Sequence, residues 1–444
     1  MAELVVRGGI VVAGAGAEPF VGSVVVEGGR IAAIRPGSEA IAADEVVDAA
    51  GCLVIPGLVQ AHVHLCQTLL RGLADDMDVI EWLRLRVWPL EQSHDHRSLH
   101  ASAMLAVAEL LTGATTAVLT MESDRHTGAA FEAAEQLGIR ATIGKALMDR
   151  YEPGTEMEVP DSDATWADQM ALFETWHGRG GGRLRVALSP RGPRNATVDT
   201  WRRCVALADE ADLRLHTHVN ENRAQADLLG ASPEGRDLEA LASWGALSPR
   251  LVMAHAVWLS DHERDLARRH RPHICHCPST NLKLASGFAP VPGYLADGLN
   301  VALGADGAPA NNRLDGFEEM RLAALIHKPA AGPRAVPART AFDMATMGGA
   351  RALGLEHEIG SLEPGKRADL AVVRRDRLHT TPAGGTDVFS ELVYAHTAAD
   401  VVTVVVDGRV VVADGRLLTG DESTVRAEAE AQQAALRARA QVTN

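Results

Sequence analysis

From about residue 57 to about residue 360 the chain repeats one pattern, a short apolar run followed by a longer stretch with helical periodicity. The runs are CLVIPGLVQAHVHL, TTAVLTM, RATIGKAL, RLRVALSP, LRLHTHVNE, LVMAHAV, HICHCP and NVALGAD, with amphipathic segments such as VDTWRRCVALADEAD between several of them. Eight β-then-α units in succession predict a closed parallel barrel.

The two flanks have a different texture. LVVRGGIVVAG and SVVVEGGRIAAIRPG are short β-branched runs broken by Gly-Gly pairs, the pattern of antiparallel hairpins. ADLAVVRR and VVTVVVDGRVVVADGRLL repeat that style near the end, with Asp-Gly turn signals. The expected fold is therefore α/β: a distorted TIM (β/α)8 barrel over 57–360, beside a small β-sandwich domain composed of 1–56 and 361–420. The alanine-rich STVRAEAEAQQAALRARAQ places a surface helix in 421–444. At 444 residues the chain has room for one large barrel and a smaller companion.

A parallel barrel carries its chemistry at the C-terminal ends of its strands, so polar residues there have more weight than polar residues elsewhere. Strand one ends in His62 and His64, which alternate along the strand and so face one side. Strand five brings His216, His218 and Glu221, strand six His255, and strand eight Asp306. Each alone is unremarkable, since a buried His often just satisfies a neighbour and an Asp before Gly is often a turn residue. Together they predict a metal site, with imidazoles and one carboxylate as the ligand set of a catalytic zinc or iron. Such an ion acidifies water towards neutrality; Asp306 is suited to receive the water's proton and Glu221 to shuttle a proton to substrate.

The net charge of −15 and the absence of basic runs argue against a nucleic-acid or anionic membrane partner and leave a small molecule. Cys52, Cys66, Cys204, Cys275 and Cys277 are odd in number and scattered, unlike a disulfide framework, which points to a reducing compartment. With no basic leader before an apolar core and no run long enough for a membrane helix, a cytoplasmic protein is expected.

HVH, the His-x-x-Glu of HVNE, AHAV, GADG and the closing GSLEPGKRADL, in this order, make the chain resemble the metal-dependent amidohydrolase superfamily over nearly its whole length. LLRGLADDMDVIEWL, STNLKLASGFAPV and GADGAPANNRLDGFEEMRLAALIHK make it similar to the mononuclear deaminases of S-adenosylhomocysteine, methylthioadenosine and related adenine nucleosides. The resemblance implies that His62, His64, His218 and Asp306 bind one metal ion per chain, zinc or iron. It makes Glu221 the proton shuttle, and gives His255 the task of activating water and steadying developing charge. His216 is left as support. A homo-oligomer is expected. Lys145 as a carbamylated bridge between two metals, and Cys275, His276 and Cys277 as a zinc knuckle, are weaker alternatives. A metal-free scaffold is the rival from another class, disfavoured by the presence of all four ligands.

The pocket residues point two ways. Trp82 and Glu91 match positions that contact the base and the ribose hydroxyls in the adenine-nucleoside deaminases. Gln67 and Arg191 depart from that group and resemble the guanine deaminase residues that face the purine edge and the base oxygen. The expected function is hydrolytic deamination of an amino-substituted N-heterocycle, with an adenine nucleoside first. A guanine-like oxopurine or a pterin comes second, and the amine or chloride of an s-triazine third.

Overall fold

The computed structural model describes residues 2–150, 161–223, 226 and 235–442. The N-terminal strands are β1 (Ala2–Val11), β2 (Phe20–Glu27), β3 (Arg30–Pro36), β4 (Ala43–Asp48) and β5 (Leu53–Pro56). Gly28 and Gly29 turn β2 into β3 with φ of 60° and 71°, the left-handed pair that a two-residue hairpin loop requires.

The central runs then form one sheet: β6 (Leu58–His64), β7 (Thr115–Met121), β8 (Arg140–Leu147), β9 (Leu184–Pro190), β10 (Leu215–Val219), β11 (Leu251–His255), β12 (His273–His276), β13 (Val301–Leu303) and β14 (Asp306–Gly307). Neighbours pair in parallel in chain order, and β14 returns to pair with β6. The last strand of the barrel is thus delivered in two pieces, β13 against β12 and β14 against β6. Gly304 lies in the break; a Cβ there would stand 2.5 Å from His62 O and 2.9 Å from His62 N, so only glycine lets the broken strand close onto β6.

The chain ends complete the other sheet with β15 (Leu370–Val373), β16 (Val401–Val406), β17 (Arg409–Ala413) and β18 (Arg416–Leu417). This mixed sheet of nine strands joins both ends of the chain, because β5 pairs antiparallel with β15. Distorted barrel and separate terminal sheet are the architecture that the sequence predicts. The buried pair of Arg140 Nε with Asp369 Oδ2, 2.7 Å apart, ties the start of β8 to that sheet, at the end of the barrel away from the histidines.

Helices cover the outside of the barrel. Val198–Ala211 is N-capped by Thr197 and buries Trp201, Cys204 and Ala208. The last helix, Glu422–Ala440, is capped by Asp421 and packs Ala429 and Leu436 against Leu69, Leu70 and Leu90. Among the described residues no helix is long and apolar enough to cross a membrane. All five cysteines are free thiols.

Candidate metal centre

The strand ends converge as the barrel requires. β14 sets Asp306 beside Val63, between His62 and His64, while β10 brings His218 and β11 brings His255. Asn220, His255, Ala256 and Asp306 have positive φ, from 43° to 68°. Non-glycine residues held there cost on the order of 1–3 kcal/mol each, a strain that clusters where side chains must be aimed.

Ligand atoms of His62, His64, His218 and Asp306 all lie within 4.8 Å of one another. His62 Nε2 and His64 Nε2 each stand 3.1 Å from Asp306 Oδ1. The other ring nitrogens are occupied elsewhere. His64 Nδ1 donates to Met121 O at 2.5 Å, His218 Nδ1 donates to Arg191 O at 2.6 Å, and His62 Nδ1 faces His216 Nε2 at 2.8 Å. Rings whose Nδ1 is held in this way present Nε2 as a fixed donor, the arrangement metal-binding imidazoles use. Burial drives His62 down to about 4 and His218 well below the usual imidazole range, so both are neutral, as ligands must be. Burial would lift Asp306, but its contacts with His62 and His64 together outweigh it and hold the carboxylate well below its ordinary value. The donor set fits zinc or iron.

Beside this group stand Glu221 and His255. His255 Nδ1 donates to Asn281 Oδ1 at 3.0 Å, and its Nε2, buried and without a hydrogen-bond partner among the described residues, faces Glu221 Oε2 at 3.8 Å. Glu221 Oε1 accepts from Ser286 Oγ at 3.3 Å. Burial pushes the Glu221 carboxyl up from its ordinary value.

A pocket opens above these groups, with Gln67, Trp82, Trp88 and Arg191 in its walls. Asp78 caps the short helix Val79–Trp82 and so sets Trp82 at the pocket edge. Gln67 lies on the 3-10 turn Leu65–Leu70 directly after β6, and Arg191 directly after β9. Glu91 is brought behind them: Oε1 accepts from Gln67 Nε2 at 2.7 Å, and Oε2 from Arg191 Nη1 at 2.6 Å. Burial opposes its charge, yet the Arg191 guanidinium holds Glu91 below the usual carboxylate range.

Lys145 is not brought to the centre; its Nζ bonds Asp124 O and pairs with Asp168 Oδ2 at 2.6 Å. Cys275 and Cys277 pack among apolar barrel residues such as Val59 and Ala302, and among the described residues the only group of three or more possible ligands is the one above. Glu122, which sequence reasoning missed, is fully buried and accepts from Leu65 N at 3.2 Å and Cys66 N at 2.7 Å, fixing the turn that carries Gln67. Its signal was available, since it follows TTAVLTM immediately at the end of a strand. Asn281 and Ser286 were also missed as supports; they lie within STNLKLASG.

The sequence signature of the Amidohydrolase family matches residues 53–411. The chain is 37% identical over 434 residues to a 5-methylthioadenosine/S-adenosylhomocysteine deaminase of Desulforudis audaxviator, covering 96% of this chain and 97% of that one. It is 38% identical over 416 residues to a 5'-deoxyadenosine deaminase of Methanothermobacter thermautotrophicus, covering 94% and 95%. Its fold superposes on the crystal structure of an adenosine deaminase from Xanthomonas campestris with bound zinc, with a TM-score of 0.91 and 32% identity over 98% of this chain and 99% of that one.

Proposed function

The chain belongs to the amidohydrolase family, and we propose that it is a zinc-dependent hydrolytic deaminase that releases ammonia from an adenine nucleoside of the S-adenosylhomocysteine, methylthioadenosine or 5'-deoxyadenosine type. The observation that carries this reading is the grouping of Glu221, His255 and Asp306 beside the imidazoles of His62, His64 and His218 at the floor of a pocket edged by Trp82.

In this reading His62, His64, His218 and Asp306 hold one ion per chain, zinc first and iron as the alternative the same donors admit. The ion supplies acidity to a water and so makes a nucleophile available at neutral pH. Trp82 offers a flat apolar face to the heterocycle. Glu221 takes up a proton and delivers it to the ring nitrogen next to the amine-bearing carbon; its raised affinity for protons suits both steps. His255, its Nδ1 fixed by Asn281, directs Nε2 at the site where negative charge develops. The buried floor excludes competing solvent. The free cysteines suit work in the cytoplasm.

A specific observation favours a second substrate class. Glu91, the residue matched to a ribose contact, has both oxygens engaged by Gln67 and Arg191. An amide and a guanidinium in the pocket wall suit a ring rich in acceptors, such as a guanine-like base, a pterin or a triazine. Ammonia release across adenosine, 5'-deoxyadenosine, methylthioadenosine, guanine, 8-oxoguanine, pterins and aminotriazines tests both readings. Turnover of a nucleoside supports the first, and turnover of guanine with none of any nucleoside replaces it by the second.

A further inference from the structure

Helix Gly316–Ile326 buries a carboxylate that this chemistry does not use. Glu319 is 1% exposed, and among the described residues no cation pairs with it. Its partners are neutral donors on two other segments: Ser279 Oγ, Ser279 N at 3.2 Å, and Asn311 Nδ2 at 2.8 Å. Burying a carboxylate without a cation costs folding free energy, so its place here points to a use other than stability.

The two segments are those that aim the reactive groups. Ser279 lies near the start of the stretch 278–286, in which Asn281 fixes His255 Nδ1 and Ser286 donates to Glu221. Asn311 also donates to Ala305 O at 2.9 Å, one residue before Asp306, whose φ of 60° turns its carboxylate onto His62 and His64. One carboxylate therefore joins the stretch that orients Glu221 and His255 to the stretch that carries Asp306.

We propose that Glu319 is a positioning residue that sets the separation of Asp306 from His255 and Glu221 without touching substrate. The inference rests on the reading of those three residues as the reactive groups. The test uses Glu319→Gln and Asn311→Ala in full-length protein, loaded with zinc for kinetics and with cobalt for absorption spectroscopy. Glu319→Gln should keep its metal, lose about tenfold to a hundredfold in kcat with KM within about twofold, and shift the visible cobalt band. Asn311→Ala, which removes the bonds to both Ala305 O and Glu319 but leaves those from Ser279, should shift the same band, and it decides the matter alone if Glu319→Gln does not fold. A folded, metal-loaded variant with an unmoved cobalt band overturns the proposal whatever its rate. The band is read without substrate, so a shift in a protein that deaminates nothing upholds the positioning role and overturns only the deaminase reading.

Discussion

His255 Nε2 stands 3.8 Å from Glu221 Oε2 and 3.9 Å from Asp306 Oδ2, so one imidazole nitrogen faces two carboxylates without bonding either. Each gap admits an oxygen atom within hydrogen-bond reach of His255 and of that one carboxylate.

Glu221→Gln separates proton transfer from metal binding. The amide can still accept from Ser286 but cannot carry a proton, so turnover should fall about a hundredfold or more while metal content stays that of the parent. Elemental analysis alongside kcat checks this, and metal lost together with activity would make Glu221 a ligand.

Glu91 and Arg191 form a buried ion pair with side chains 5% and 7% exposed. Removing one partner strands the other charge, at about 3–5 kcal/mol, so Glu91→Ala and Arg191→Ala should each lower Tm by several degrees. Kinetics corrected for folded protein then divide the substrates. With an adenine nucleoside, Glu91→Ala should cost about tenfold to a hundredfold in kcat/KM on the nucleoside and far less on the free base. With a guanine-like base, Arg191→Ala should abolish turnover. Equal indifference to both changes would mean that the pocket lies elsewhere.

The strand-end residues were legible because two periodicities coincide. Alternation along β6 puts His62 and His64 on one side, and barrel polarity gathers the ends of β6, β10, β11 and β14. The partners of Glu91 were not, since Gln67 and Arg191 lie 24 and 100 residues away, and local pattern carries no information about such meetings. Glu319 is an intermediate case. Helical spacing puts it on the buried face with Gly316, Met320 and Ala323, which marks it as unusual, but its link to Ser279 and Asn311 exists only in the folded chain.

Burial raises Glu319 to about 7 from an ordinary 4.5, which fixes the sign of a pH effect. Between those values the folded state binds more proton than the unfolded one, so the contribution of this group to stability is complete below about 4.5 and is lost as pH rises through about 7. Glu319→Gln cannot ionise. Its Tm relative to the parent should therefore improve steadily from pH 5 to pH 8, by an amount equivalent to at most about 3 kcal/mol. Thermal melts across that range check it; a difference that is flat or of opposite slope contradicts it.

The central claim, that this chain deaminates a heterocycle with one metal ion held by His62, His64, His218 and Asp306, is tested most directly by ammonia release from metal-stripped protein during titration with zinc. Release from 5'-deoxyadenosine or one of the other candidate heterocycles should be absent at the start, rise in proportion to added zinc and level off at one ion per chain. Asp306→Ala should bind zinc too weakly to follow that curve. Ammonia release that persists in fully stripped protein, or that never appears with any of these heterocycles at saturating zinc, would contradict the account.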